Sequence, residues 1–236
     1  MADSPAIFPA RQSDLGVHSL AREMQAFAAL ALDPPGFPDG APRGDGHAVL
    51  VIPGFLAGDW TTARLRDFLA HLGYRAETAD ILFNAGPTRG IVGKLQSRLE
   101  ALHEDTAAKV SLVGISLGGT LARQLARANA ERVRGVVTLC SPIRFPVATP
   151  LQPFAQMLAP FHQAEWTANL AEIADPLEMP VTAIYSEEDG IVDWRACLQD
   201  ACGMACNVAV SGAHTTIGSN PAAQRALACA LAQLRI

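Results

Sequence analysis

The sequence predicts an α/β fold: a mostly parallel central sheet with helices on both faces and a small inserted cap. Three observations carry this. Short continuous apolar runs such as Ala48–Ile52 recur along the chain, as strands buried on both faces require. Helical stretches alternate with these runs from about residue 61 to about residue 233. The alternation is interrupted once, at 141–179, by a Pro-rich segment too long for a plain connection.

Residues 1–14 read as a loose arm, followed by a helix over 15–32 with Leu15, Leu20, Met24, Phe27, Leu30 and Leu32 on its apolar face. Asp33-Pro34-Pro35-Gly36 stops that helix, and the breaker-rich stretch 33–46 sets an N-terminal arm and helix (1–45) apart from a main domain (46–236). Ala48–Ile52 is the first strand, ended by Pro53-Gly54. A helix over 61–72 closes on Gly73, and Tyr74–Thr78 is the second strand. A helix over 89–107 has a charged outer face. Val110–Val113 is a strand, 117–130 a helix and Val133–Leu139 a strand. The segment 141–179 carries Phe145, Phe154, Met157, Phe161 and Trp166 and reads as the cap. Val181–Tyr185 and Asn207–Val210 are the last strands. Asn220 as N-cap and Pro221 in the first turn open the final helix.

Composition narrows the function. Hydrophobic residues make up 50% and charged residues 17%, which describes a folded chain with a sizeable core rather than a disordered one. With 18 basic and 23 acidic residues the net charge is −5, which argues against a nucleic-acid partner. No apolar run reaches the roughly 18 residues of a membrane helix. The first residues lack the basic start and apolar stretch of a secretory signal. Five cysteines, an odd number, fit a reducing compartment, so a cytoplasmic location is expected. Cys197, Cys202 and Cys206 are closely spaced, but no CxxC pair and no clear fourth ligand accompany them. They read as packing or surface thiols, and no metal or other cofactor is expected.

The strongest local signal is Gly114-Ile-Ser116-Leu-Gly118-Gly119, a G-x-S-x-G pattern between a strand and a helix. Such a turn strains the serine backbone, presents Oγ to a crevice and sets it on a helix N-terminus. A serine needs a base, and the base an orienting acid. Asp189 follows the strand Val181–Tyr185, and His214 follows the strand ending at Val210, both in loops at the carboxyl ends of strands. Asp193, Glu187 and Glu188 compete with Asp189, with Asp193 second. Among the histidines only His214 has this strand-then-loop context; His162, in the cap, could touch a substrate but reads as a surface residue. An oxyanion hole needs two backbone donors. Leu117 N–H is one; the other comes from the loop after Ile52, with Phe55 preferred and Leu56 the alternative. The nucleotide-binding glycine patterns are absent.

Together Val-Ile-Pro-Gly-Phe (51–55), Val-Gly-Ile-Ser-Leu-Gly-Gly (113–119), Tyr-Ser-Glu-Glu-Asp-Gly-Ile-Val (185–192) and Gly-Ala-His (212–214) resemble the α/β-hydrolase superfamily, most nearly its bacterial esterase-like and lipase-like members. The resemblance spans about 46–234. It implies an α/β-hydrolase fold, a Ser116–Asp189–His214 triad and an oxyanion hole from Phe55 and Leu117. Two departures stand out: Pro53-Gly54 occupies a place that is often His-Gly, and the N-terminal arm lies outside the shared core. Asn84–Thr88 resembles a loop near the site in the lipase-like members. The implied reaction is hydrolysis of carboxylic esters through an acyl-enzyme. The cap suggests an apolar small-molecule ester held by Phe154, Met157, Phe161 and Trp166. Thioesterase, amidase, acyltransferase and perhydrolase activities would use the same machinery, and a silent binding protein on this scaffold is the rival from another class. Oligomeric state is not legible in the sequence.

Overall fold

The computed structural model describes residues 17–200 and 203–234; the loose arm expected over 1–14 lies outside them. Six strands form one sheet: β1 (Ala48–Ile52), β2 (Arg75–Thr78), β3 (Val110–Ile115), β4 (Val133–Leu139), β5 (Val181–Tyr185) and β6 (Ala205–Ala209). Their spatial order is β2-β1-β3-β4-β5-β6, and every neighbouring pair is parallel. The seven helices among the described residues are α1 (Val17–Leu32), α2 (Ala63–Leu72), α3 (Arg89–Thr106), α4 (Leu117–Ala128), α5 (Gln152–Leu158), α6 (Ala164–Ala168) and α7 (Pro221–Gln233).

The strand pattern explains the layering. All five residues of β1 are buried. Ala48, Leu50 and Ile52 share a core with Leu95 and Leu99 of α3 and Leu121 and Leu125 of α4. Val49 and Val51 face the other way, into a core with Phe68 and Leu69 of α2 and Leu227 and Leu231 of α7. Alternation along a strand thus serves two apolar faces, which is why the run reads as continuously hydrophobic. The edge strands β2 and β6 are mostly half-buried or exposed. With no fully buried residue, neither carries a strong apolar signal, and β6 begins two residues before the predicted start.

Local chemistry sets the element ends. Thr88 caps α3 by accepting from the Ile91 amide. Asn220 caps α7 by accepting from Ala222 and Ala223. Gly73 ends α2 in the left-handed region at φ 96°. Asn129 donates to the Leu125 carbonyl at 2.9 Å, and α4 stops at Ala128 rather than at 130. β3 runs two residues beyond the predicted strand because Gly114 and Ile115 remain in register with Thr138 and Leu139 of β4.

The segment between β4 and β5 folds as α5, α6 and two 3-10 turns laid over the carboxyl end of the sheet. It is stitched down at Gln163, whose amide donates to the Pro87 carbonyl at 2.9 Å. Its base is held by Arg123 of α4, which is buried. Arg123 donates to the carbonyls of Ile173 at 2.9 Å and Asp175 at 3.0 Å, and to Gln199 Oε1 at 2.7 Å. Arg123→Ala strips these acceptors of their donor inside the fold. We expect a loss of about 3 kcal/mol, read as a lower urea midpoint with an unchanged m-value.

Candidate active site

The strand order reverses between β1 and β3, and the loops after these two strands meet there. Ser116 stands between β3 and α4 at φ 54°, ψ −130°, a conformation that L residues adopt rarely. Two contacts hold it. Its amide donates to the Leu139 carbonyl at 2.8 Å, and its carbonyl accepts from the Gly119 amide at 2.9 Å. The turn requires absent side chains. A Cβ on Gly114 would lie 2.3 Å from the Gly119 nitrogen, and one on Gly118 would lie 2.3 Å from the Ile52 carbonyl oxygen. Gly54 gives similar clearance, since a Cβ there would meet the Ser116 Cβ at 3.1 Å.

Asp189 and His214 come together from loops 25 residues apart in sequence: His214 Nδ1 is 2.6 Å from Asp189 Oδ2. The other carboxylate oxygen of Asp189 accepts the Ile191 and Val192 amides at 2.8 Å each. Burial opposes the charge on Asp189. The facing imidazole and these hydrogen bonds outweigh burial, and its pKa falls below the ordinary carboxylate value. For His214 burial again opposes charge, but Asp189, by charge and hydrogen bond, and then Glu23 raise its pKa above the ordinary 6.5. Asp193 instead caps the turn Trp194–Cys197 by accepting the Arg195 amide. Glu188 accepts the Gly212 amide at 3.0 Å. Neither reaches His214 by a hydrogen bond among the described residues. Ser116 and His214 both line a cavity of about 320 Å³. An imidazole oriented in this way can take a proton from a neighbouring hydroxyl and return it.

The two candidate donor positions separate clearly. The Leu56 amide donates to the Asn84 carbonyl at 2.8 Å, whereas the Phe55 amide takes no backbone partner among the described residues. Leu117 opens α4, where first-turn amides have no intrahelical acceptor. Asn84 is buried and organises this loop. Its side chain donates to the Pro53 carbonyl at 2.8 Å and accepts the Gly86 amide at 3.0 Å.

The cap residues sit differently from the expectation. Phe154, Met157 and Phe161 are exposed, and none lines the cavities around Ser116. α5 turns Ala155 inward and Phe154 and Met157 outward, and Phe161 is exposed at the end of the 3-10 turn that follows. Trp166 is partly buried and borders a recess of about 30 Å³ beside Phe55 and Leu117. Leu20, Phe27 and Leu30 of α1 line the large cavity instead.

α1 also supplies a residue that sequence reading missed. Glu23 is 1% exposed. Its Oε1 accepts the Gly190 amide at 2.8 Å and the His214 amide at 2.9 Å. Its Oε2 accepts the Thr215 amide at 2.8 Å and the Thr215 hydroxyl at 2.9 Å. One carboxylate therefore ties together the loops that carry Asp189 and His214. Gly190 makes room for it: a Cβ there would come within 2.9 Å of Glu23 Cγ. The available signal was one acid on the apolar side of an amphipathic helix, between Leu20 and Phe27.

Cys140 Sγ, Asp189 and His214 lie within 4.8 Å of one another, a grouping a metal could address. Their atoms are already engaged, because Asp189 holds Nδ1 and two amides. Burial and then the Asp189 charge push the Cys140 thiol well up, so it stays protonated. Cys197 is buried and Cys206 exposed; Cys202 lies outside the described residues.

Removing Glu23 leaves buried amides without acceptors. Glu23→Ala is expected to cost about 2–4 kcal/mol of unfolding free energy, with Glu23→Gln intermediate because one acceptor oxygen remains. The negative charge of Glu23 supports a protonated imidazole, so either variant lowers the His214 pKa in an NMR titration. An unmoved value would show that Glu23 acts on the backbone alone.

A family model described as "Alpha/beta hydrolase family" matches residues 3–234, a span that includes α1. No match was found among curated proteins. Among solved structures, a monoacylglycerol lipase of Paleococcus ferrophilus is 14% identical, with 83% of this chain and 97% of that one covered and a TM-score of 0.58. A soluble variant of monoglyceride lipase from Saccharomyces cerevisiae is 15% identical, with 85% and 90% covered and a TM-score of 0.58. A thioesterase domain from the curacin biosynthetic pathway is 15% identical, with 79% and 93% covered and a TM-score of 0.54. At these identities the structures share the fold, and the match over almost the whole length of the chain shows that it belongs to the alpha/beta hydrolase family.

Proposed function

We propose that this hydrolase cleaves carboxylic esters through an acyl-enzyme on Ser116. The observation that carries the reading is the 2.6 Å contact of His214 Nδ1 with a buried Asp189, beside a serine held at positive φ on the same cavity. His214 Nε2 removes the hydroxyl proton as Ser116 Oγ bonds to the ester carbon. Phe55 and Leu117 N–H groups receive the oxyanion, and the α4 N-terminus adds its dipole. Asp189 keeps the imidazole in the tautomer with Nδ1–H and balances its positive charge. The alcohol leaves with the proton from His214. Water then gives a proton to His214, attacks the acyl carbon and releases the acid, and the proton returns to Ser116.

The reading extends to setting. Apolar walls favour an apolar small-molecule ester. The free thiols Cys140, Cys197, Cys206 and Cys229 support a cytoplasmic location. No helix of the described residues is long and apolar enough to cross a membrane.

A fluorophosphonate adds one adduct by intact mass to the folded wild type and none to Ser116→Ala. Adduct on the variant places the nucleophile elsewhere. Only neutral His214 accepts the proton, and its pKa is raised. The acidic limb of kcat/KM for a soluble ester therefore has its midpoint above 6.5. A midpoint below 6.5 would contradict the pairing with Asp189.

A further inference from the structure

Among the described residues two cavities reach Ser116; they share Phe55, Leu151 and Ile191 and differ in size and in the rest of their walls. The larger, about 320 Å³, carries His214 and Thr215 on its wall and is closed by Leu20, Phe27 and Leu30 of α1. The smaller, about 40 Å³, is lined by Leu117, Pro142, Phe145, Val147, Ile191 and Val192, and His214 is not on its wall.

Reaction geometry distinguishes their roles. The attacked carbon bears four groups: Ser116 Oγ, the oxyanion, the leaving oxygen and the acyl chain. The oxyanion points at the Phe55 and Leu117 amides. The leaving oxygen must face the imidazole, because its C–O bond breaks as His214 hands over the proton. The acyl chain takes the remaining direction, away from His214. The cavity that contains His214 therefore receives the alcohol, and the recess that reaches both Ser116 and Leu117 without His214 receives the acyl chain.

We propose that the preferred substrates are esters of short acids with bulky apolar alcohols, an assignment that rests on the ester-hydrolase reading above. The walls support it. A recess of about 40 Å³ has room for little more than an acetyl- or propionyl-sized group. It is bounded by buried Val147, Ile191 and Val192, which belong to a packed cluster and give way reluctantly. The α1 side chains opposite are apolar, and Phe27 stands half-exposed at the cavity mouth.

Octyl acetate and ethyl octanoate test this directly, being isomers that differ in which side of the ester carries the chain. We expect kcat/KM for octyl acetate to exceed that for ethyl octanoate by at least about tenfold, the discrimination that misplaced methylenes give. Leu30→Trp, which fills the larger cavity, lowers the rate on octyl acetate more than on ethyl octanoate. Val147→Ala, which widens the recess, raises the rate on ethyl octanoate. Equal or reversed preference in the wild type overturns the assignment. So does inactivity on both isomers when Ser116 still takes up the fluorophosphonate. Inactivity on both with no labelling overturns the hydrolase reading itself.

Discussion

A backbone crossing with no room for side chains governs this molecule. β3 ends, the chain turns through Ser116 at positive φ, and α4 leaves against the end of β1 so closely that Gly114 and Gly118 tolerate no Cβ. An unfavourable conformation of this kind persists only where the surroundings over-determine it. Here they do so through the β1–β3–β4 ladder beneath, the Leu139 carbonyl above and the cores on both sheet faces. What results is a serine at the mouth of a helix, at the point where the strand order reverses.

The second constraint is an uncommon use of a buried charge. Glu23 has no cation partner among the described hydrogen bonds and ion pairs; four donors from Gly190, His214 and Thr215 satisfy it instead. Hydrogen bonds to a charged acceptor are stronger than neutral ones, and they offset the cost of burial. They also make α1 part of the site. The same helix presents Glu23 to the loops of Asp189 and His214 and apolar side chains to the cavity. His214, the loop that carries Asp189 and one wall of the large cavity are therefore mechanically one unit.

On the opposite side a neutral network does similar work. Asn84 fixes Pro53 and Gly86 and, through its backbone, Leu56, while the Phe55 amide takes no backbone partner among the described residues. The cap presses inward through Phe145, Val147 and Leu151, which border the small recess beside Ser116. Its exposed face, with Phe154, Met157 and Phe161, takes no part in the cavity walls.

Much was determined by the sequence alone. Continuous apolar runs and their spacing specify strands buried on two faces, because alternation must serve both cores at once. The Gly–Ser–Gly turn is legible because steric exclusion is a local property. The loops of Asp189 and His214 are legible because strand ends in such sheets converge on one edge. Three features belong to the tertiary structure alone. That Asp189 meets the imidazole while Asp193 accepts the Arg195 amide is a matter of distances between loops that no spacing encodes. The Leu56 amide is taken up by a hydrogen bond to Asn84, some thirty residues away. The place of α1 was hidden because a helix's amphipathic pattern says that one face is covered and not by what. Glu23 gains its meaning only from the amides of Gly190, His214 and Thr215 that surround it.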